Sequence, residues 1–353
     1  MAVVTVNGPI DKEELGITLP HEHLFVDLRF TWKMPADPAL GRVALGDVRP
    51  EHLHLLRNDL GAVRANLVLD DPAAAARELA RFKRAGGGAI VEVSSIGAGR
   101  REEHFRAVSR KTGVHIVAGS GFYIRESLPP EVLQASEEEL AGRIIAEMQT
   151  GIGRTGIRPG IIGEIGVSAE IGEWDRKSLR AAARAQKETG RAISVHIQAV
   201  PTLKEFTGGL NGMEALRILE SAGADLERVI IGHTDAKTDT AYLRRIMEAG
   251  AYAEMDHFGK DLYFAATDFL MDRDMDRVLA VRELVEAGFA RRLLISQDVC
   301  LKTDLVSRGG HGYAHIMETV VPMMLRKGVS RDALGTIMQD NPRTLLDVGR
   351  AYL

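Results

Sequence analysis

The sequence is poor in cysteine and in long apolar runs. Its 353 residues include a single cysteine, Cys300, which excludes an internal disulfide framework and is typical of a reducing compartment. No run of about 18 apolar residues occurs, so an ordinary membrane span is not expected. The first residues lack a basic region followed by an apolar run, so no signal peptide is indicated. These absences predict a cytoplasmic protein.

An excess of basic residues is also missing. The 45 lysines and arginines stand against 49 aspartates and glutamates, which gives a formal net charge of -4. No dense basic stretch occurs, so a broad nucleic-acid-binding face is not expected. The composition, with 45% hydrophobic and 27% charged residues, is typical of a soluble globular protein. We therefore expect a small-molecule substrate as the partner, and neither a nucleic acid nor a membrane.

From about residue 72 onward, helical and strand patterns alternate. A helix predicted over 73–86 begins after the N-cap residue Asp71 and Pro72, and the β-branched stretch AIVEVSS follows as a strand. Six further helix–strand units follow, with the strands HIVAGSG, GIIGEIGV, AISVHI, RVIIGHT, AYAEMD and RLLISQDV. An opening strand near GITLPHEH brings the number to eight. Eight nearly continuous apolar strands favour a parallel sheet that closes into a barrel.

The predicted fold class is therefore α/β, a (β/α)8 TIM barrel, in a single domain over residues 1–353. We expect extra N-terminal and C-terminal helices around it. The stretch EHLHLLRNDLGAVRANL predicts an inserted helix that flanks the barrel, and the tail after Leu325 predicts one or two closing helices. No Gly-x-Gly-x-x-Gly pattern follows an early strand, so a dinucleotide-binding fold is the weaker alternative.

Residue types that bind metals stand repeatedly at the ends of the predicted strands, where barrel enzymes carry their catalytic residues. His21 and His23 are two apart on an extended strand, so both side chains point the same way. The other four residues are Glu164, His196, His233 and Asp298. Each alone has an ordinary structural interpretation, such as a hydrogen-bonded core histidine. Together, four histidines and two carboxylates at one mouth would be costly to bury without compensation, which predicts a metal site.

The donor types also indicate which metals to expect. Imidazole and carboxylate groups suit zinc, manganese, cobalt or iron, whereas magnesium and calcium prefer oxygen ligands. Six ligands exceed what one catalytic ion requires. They divide naturally between two ions that share a bridging carboxylate and a bridging water, about 3.5–4 Å apart. We expect two divalent metal ions per chain, with zinc as the first choice.

With these motifs in place, the sequence resembles the phosphotriesterase-related proteins of the amidohydrolase superfamily. The motifs LPHEH, IIGEIGVS, AISVHI, VIIGHTD and ISQDV occur in the family's order, and the resemblance covers nearly the whole chain. It implies a branch in which a glutamate replaces the carbamylated lysine that many members carry. The ligands it implies are His21, His23 and Asp298 for the more buried ion, His196 and His233 for the more exposed ion, and Glu164 as the bridge.

The reaction that the resemblance implies is attack by an activated water on a carbonyl or phosphoryl centre, with Asp298 as the catalytic residue that accepts the proton. Tyr123, His257 and Lys260 are candidate substrate-binding residues, and Asp256 in the same loop is a further candidate. The family's lactonases often carry a tyrosine in the region of Tyr123. Many of them carry an arginine where this chain has His257, so a lactone preference does not carry over directly.

The leading interpretation is a binuclear metal-dependent hydrolase of carboxylic esters, especially lactones, with phosphotriester hydrolysis as a side activity. Hydrolysis of a small amide, such as deacetylation, stays open, although the sequence reveals no proton donor for a leaving amine. A non-catalytic protein that binds a small molecule and retains its metals is the alternative from another class, and the complete ligand set argues against it. A homodimer is expected from the resemblance alone.

Overall fold

The computed structural model describes residues 2–35, 37–198, 211–264 and 268–349. Its strands are β1 Ala2–Thr5, β2 Gly8–Asp11, β3 Ile17–Glu22, β4 Val26–Asp27, β5 Val68–Leu69, β6 Gly87–Glu92, β7 His115–Ser120, β8 Ile161–Val167, β9 Ile193–Ile197, β10 Val229–Ile231, β11 Tyr252–Met255, β12 Tyr263–Phe264, β13 Phe269–Leu270 and β14 Leu293–Ile295. Its α-helices are α1 Gly41–Ala44, α2 Leu53–Leu56, α3 Pro72–Arg84, α4 Phe105–Thr112, α5 Pro130–Gln134, α6 Glu137–Thr150, α7 Glu173–Thr189, α8 Gly212–Ser221, α9 Thr240–Glu248, α10 Asp274–Glu286, α11 Val321–Arg326, α12 Arg331–Gly335 and α13 Asn341–Leu346.

Eight of these strands form one parallel sheet, in the order β3-β6-β7-β8-β9-β10-β11-β14. Its first and last strands meet through Ser296, which follows β14. The Ser296 hydroxyl donates to the carbonyl oxygen of His21 at 2.8 Å and accepts from the His21 amide at 3.1 Å. The sheet thereby curls into a barrel with helices around it. The eight predicted strands and the α/β barrel class are confirmed.

Side chains alternate between the two faces of the strands, except at register irregularities in β3 and β8. Along β11, Tyr252 belongs to a cluster inside the barrel, whereas Ala253 packs beneath the surrounding helices. Because strand side chains repeat every two residues, Glu254 and Asp256 point to the same side as Tyr252. Leu294, Ser296 and Asp298, on and after β14, likewise point into the barrel. The barrel interior is therefore apolar near the amino ends of the strands and polar near their carboxyl ends.

The amino end of the barrel is covered by an antiparallel hairpin of β1 and β2, which the sequence did not predict. Val3 of this hairpin and Leu15 belong to the interior apolar cluster. The guanidinium of Arg106 on α4 donates to the carbonyl of Val6 at 2.7 Å, which ties the hairpin to the helix layer. The open, polar mouth is thus the one at the carboxyl ends of the strands.

The inserted helix predicted over residues 51–67 is wrong. The structure has a 3-10 turn at Pro50–His52, the one-turn helix α2 and a second 3-10 turn at Arg64–Leu67. Between them Asp59 accepts a hydrogen bond from the Gly61 amide at 2.9 Å, a side-chain turn that competes with helix continuation. A separate small apolar core holds this segment together, formed by Val48, Leu56 and Val63 with partly buried neighbours.

The closing helices predicted after Leu325 are confirmed as α12 and α13, joined by a π-helical stretch at Thr336–Asp340. Asn341 at the start of α13 donates to the carbonyl oxygens of Ala290 and Leu293, so the tail packs against the amino end of β14. None of the helices within the described residues is long and apolar enough to cross a membrane.

Candidate metal centre

The six predicted ligand residues lie together at the carboxyl ends of the barrel strands, with Glu164 of β8 in the middle. Its Oε1 atom lies 3.6 Å from His23 Nε2. Its Oε2 atom lies 3.5 Å from His21 Nε2 and 3.2 Å from His196 Nδ1. Asp298 Oδ1 lies 3.2 Å from the same Nε2 atom of His23. Oε1 of Glu164 therefore faces His23, whereas Oε2 faces both His21 and His196, so each oxygen of the carboxylate has imidazole donors beside it.

His233 lies beside His196, with its Nε2 atom 2.7 Å from His196 Nδ1. Burial, together with His196 and His21 nearby, holds the pKa of His233 well below its usual range. A neutral imidazole is the form that binds metals. His233 and Asp298 also have positive φ angles, 55° and 50°, which non-glycine residues rarely adopt. Such backbone strain is concentrated at functional sites, and here it aims two donors into the mouth.

Several donor atoms of the cluster lack the hydrogen bonds that buried polar atoms normally make. Among the described residues, neither His21 Nε2 nor either side-chain oxygen of Glu164 has a hydrogen-bond partner. Unpaired buried polar atoms are costly, so their presence in one cluster calls for a missing partner. The sets His21, His23, Asp298 and His21, Glu164, His233 each bring their ligand atoms within 4.8 Å of one another. The residues present therefore fit divalent metal ions.

The outward-facing nitrogens of three histidines are held by other side chains. His21 Nδ1 lies 3.1 Å from Glu254 Oε2, and His233 Nδ1 lies 2.9 Å from Asp256 Oδ1. His23 Nδ1 lies 2.8 Å from the hydroxyl of Ser94. Partners of this kind fix the ring orientation and leave Nε2 directed at the cluster. The sequence analysis missed Glu254 and Ser94, and it placed Asp256 on the substrate side although this fully buried carboxylate lies behind His233.

The electrostatics of the cluster favour a cation. Burial opposes the ionisation of Glu164, but His196 and His21 outweigh it and hold the pKa of Glu164 well below its usual range. Burial likewise disfavours a charged His21, yet Asp256, Glu164 and Glu254 together raise the pKa of His21 well above its usual value. The carboxylates around His21 thus favour a positive charge on its ring, although His21 is a candidate metal ligand. A divalent cation would take the place of the proton that carries this charge.

Beside the cluster, His257 forms a hydrogen-bonded pair with Asp235. Its Nδ1 lies 2.8 Å from Asp235 Oδ1, and its amide donates to Asp235 Oδ2 at 3.1 Å. Burial works against the ionisation of Asp235, but His257 and Arg277 lower the pKa of Asp235 to about 2. Nδ1 of His257 therefore carries the hydrogen, and Nε2 is left as the acceptor on the opposite edge of the ring. His257 lines the cavity above the cluster, and its predicted contact with substrate stays a prediction. The sequence did not reveal its partner Asp235.

Lys260 and Tyr123, the other two predicted substrate-binding residues, also line this cavity. Lys260 Nζ donates to Asp298 Oδ2 at 2.8 Å and lies 3.2 Å from Cys300 Sγ. Burial would lower the pKa of Lys260, but Asp298 and the acidic groups around it raise it well above its usual value. The Tyr123 hydroxyl lies 3.5 Å from His196 Nε2. A fixed positive charge and a phenol thus border the cluster.

The cavity at this mouth has a volume of about 1880 Å³. That exceeds the range of roughly 300–1,000 Å³ usual for small-molecule sites. Both tryptophans of the chain, Trp32 and Trp174, line it together with Phe30 and Phe264. The cavity therefore combines a polar floor, formed by the cluster, with a wide aromatic wall.

An α/β barrel with such a cluster of histidines and carboxylates at the carboxyl ends of its strands defines the class of metal-dependent hydrolases. Within that class, the chain belongs to the phosphotriesterase family, which matches residues 1–346. The resemblance noted in the sequence is thereby confirmed.

Individual relatives agree with this assignment. The N-acetyltaurine hydrolase of Tetraodon nigroviridis is 35% identical over 350 residues, covering 98% of this chain and 97% of that protein. A resiniferatoxin-binding protein from Rhodobacter sphaeroides superposes with a TM-score of 0.92 at 35% identity, covering 98% of this chain and 95% of that one. The phosphotriesterase homology protein of Escherichia coli, solved with phosphate in its active site, gives a TM-score of 0.77 at 27% identity, covering 95% and 99%. The expectation of a hydrolase is confirmed, whereas ester specificity is not.

The central position of Glu164 generates a prediction. Glu164→Gln keeps the side-chain shape but removes the negative charge and replaces one oxygen with a donor, so we expect it to lower metal content. After loading with Zn²⁺ and desalting, the unmodified protein should hold two ions per chain and the variant no more than one, as measured by mass spectrometry of the metal. Glu126→Gln, an exposed carboxylate on the same cavity wall, is the matched control. Full metal content in Glu164→Gln would contradict the bridging position.

Proposed function

We propose that the protein holds two divalent metal ions in this cluster and hydrolyses carboxylic amide bonds of small molecules. The observation that carries the proposal is the convergence of four histidines and Asp298, all buried except the half-buried His196, around the unpaired oxygens of Glu164. Zinc suits this mixture of imidazole and carboxylate donors better than magnesium or calcium. The proposed ligands are His21, His23 and Asp298 for one ion, His196 and His233 for the other, and Glu164 for both.

Bound there, the ions would activate a water molecule and polarise the scissile carbonyl group. The chain's own residues handle the protons. Burial would raise the pKa of Asp298, but Lys260 and His23 outweigh it and hold that pKa well below its usual range. Asp298 therefore stays ionised and accepts a hydrogen bond from the attacking water. The sequence predicted that Asp298 also takes the proton, but a carboxylate whose pKa is held this low is a weak base, so we assign it only the orientation of the water. Lys260 keeps Asp298 fixed and adds positive charge where negative charge develops on the substrate.

His257 is the group we assign to the transfer of a proton to the leaving nitrogen. Burial lowers the pKa of His257, although Asp235 opposes this, so the ring is neutral near pH 7. A neutral ring with Nδ1 hydrogen-bonded to Asp235 presents Nε2 as a base, and the ring becomes an acid once it is protonated. An amine leaves poorly without a proton, so this pair supplies what the sequence analysis could not identify for amide hydrolysis.

The relatives support an amide substrate, because proteins of this length and similarity are named N-acetyltaurine hydrolases. The size of the cavity supports a substrate with more than an acetyl group, since the aromatic wall offers apolar surface beyond the floor. Ester or lactone hydrolysis, the leading interpretation from sequence, is the second candidate. Tyr123 favours it, because its hydroxyl lies on the cavity wall beside His196, where the resemblance places a contact with the ester oxygen.

A substrate panel tests this proposal. Zinc-loaded protein should hydrolyse N-acyl amides, N-acetyltaurine and longer-chain analogues among them, with a higher kcat/KM than it shows for lactones or phosphotriesters. Turnover should disappear in a chelated control and return when metal is added back, because the activated water and the polarised carbonyl both depend on the ions. Turnover of lactones without any amide hydrolysis would reverse the order of the two candidates. Turnover that is unaffected by chelation would refute the metal-dependent mechanism.

The role of His257 is tested separately. We expect His257→Gln to reduce kcat for an alkyl amide by about 10²–10⁴-fold, the usual contribution of a general acid or base. Activity towards an aryl ester should fall far less, because its leaving group departs without a proton. The two metal ions should stay bound, and His115→Gln, at the amino end of β7 on the opposite side of the barrel, should change neither activity. Equal losses on the amide and the aryl ester would rule out this role.

A further inference from the structure

Arg277 is a fully buried cation in the first turn of α10, a helix outside the barrel. Burying a guanidinium costs several kcal/mol unless it is well paired. The other buried residues on this helix are apolar, among them Val278, Val281 and Leu284. Packing of α10 against the barrel therefore does not require a charge at this position. The reason for the charge lies in what the guanidinium contacts.

The guanidinium reaches the segment that follows β11 once directly and once through Asp235, which follows β10. Its Nη1 donates to the backbone carbonyl of Lys260 at 2.8 Å. Its Nε forms an ion pair with Asp235 Oδ2 at 2.9 Å, and the other oxygen of Asp235 holds the ring of His257. One buried side chain thus connects both ends of the segment 257–260, which carries two of the residues on the cavity wall.

A second residue of the same helix turn supports the middle of this segment. Asp274 Oδ1 accepts a hydrogen bond from the Gly259 amide at 2.8 Å and lies 3.6 Å from Arg277 Nη1. Asp274 Oδ2 also pairs with His315 Nε2 at 2.6 Å. The first turn of α10 therefore holds the segment 257–260 at three points, and Arg277 makes two of these attachments.

We propose that Arg277 is a positioning residue, which fixes the segment 257–260 so that the His257 ring and the Lys260 ammonium face the cavity. Arg277 has no exposed surface and does not line the cavity, so it acts only through these two residues. The consequence for turnover rests on the proposed function. The consequence for the segment itself rests on the contacts alone and is measured without a substrate.

Three variants test the inference. Arg277→Met keeps the length of the side chain and removes both attachments. Arg277→Lys keeps a charge near Asp235 but cannot hold Asp235 and the Lys260 carbonyl at once, because a lysine lacks the fork of the guanidinium. The paired variant Asp235→Asn with Arg277→Met removes both charges, so no unpaired buried charge is left to unfold the protein. Arg282→Met, an exposed arginine of the same helix, is the matched control.

Hydrogen exchange of the metal-loaded protein is the first readout. In Arg277→Met and in the paired variant, amides of 257–260 should exchange faster than in the unmodified protein, while those of β3 and the content of two metal ions stay unchanged. Arg277→Lys should be intermediate, and Arg282→Met should match the unmodified protein. Unchanged exchange in the segment 257–260 would overturn the inference, whether or not any substrate has been found.

Turnover is the second readout. Arg277→Met should lower kcat by about 10–100-fold with little change in KM, the range typical of residues that hold functional side chains in place. In a protein that already carries His257→Gln, Arg277→Met should lower kcat by a much smaller factor, because the effect of Arg277 on turnover passes largely through His257. If the loss of kcat in the double variant equals the product of the losses in the two single variants, Arg277 acts independently of His257, and the inference is overturned. Absence of turnover in the unmodified protein would count against the proposed function only, since exchange decides the positioning role.

Discussion

The structure depends on a concentration of carboxylate charge that is buried at one mouth of the barrel. Glu164, Glu254, Asp256 and Asp298 all lie within the mouth, and each has less than a tenth of its surface exposed. Such charges are tolerated only when cations or hydrogen-bond donors compensate them. Four histidines and one lysine supply part of that compensation, and the unpaired atoms at the centre leave a position that a divalent cation would fit.

The barrel makes this arrangement possible because its apolar packing residues and its polar site residues lie at opposite ends of the strands. Ala192, Tyr252 and Leu294 fill the interior near the amino ends of their strands, and the residues two and four positions later are polar and lie towards the mouth. The outer helices then extend the polar network away from the centre. Arg277 of α10 belongs to this polar network although it does not line the cavity, because it pairs with Asp235, which in turn contacts the His257 ring.

The sequence was sufficient for the strands and for selecting six candidate ligand residues that the fold brings together, because both depend on local patterns. Apolar runs marked eight strands, and ligand types marked their ends. It was insufficient where the partner is distant along the chain: Glu254 reaches His21 only after the barrel closes, and Asp235 reaches His257 across two neighbouring strand ends. The helix predicted over 51–67 failed because a side-chain turn at Asp59 outweighs the apolar pattern. Because Asp235 is distant along the chain, the sequence did not reveal the His257–Asp235 pair, to which we assign proton transfer in amide hydrolysis.

The central claim is that Glu164 lies between two divalent ions. Crystals of the zinc-loaded protein, measured at wavelengths on both sides of the zinc absorption edge, test it most directly. The account predicts two anomalous peaks about 3.5–4 Å apart. One should lie among His21, His23 and Asp298, and the other between His196 and His233. A single peak, or peaks remote from Glu164, would contradict the claim.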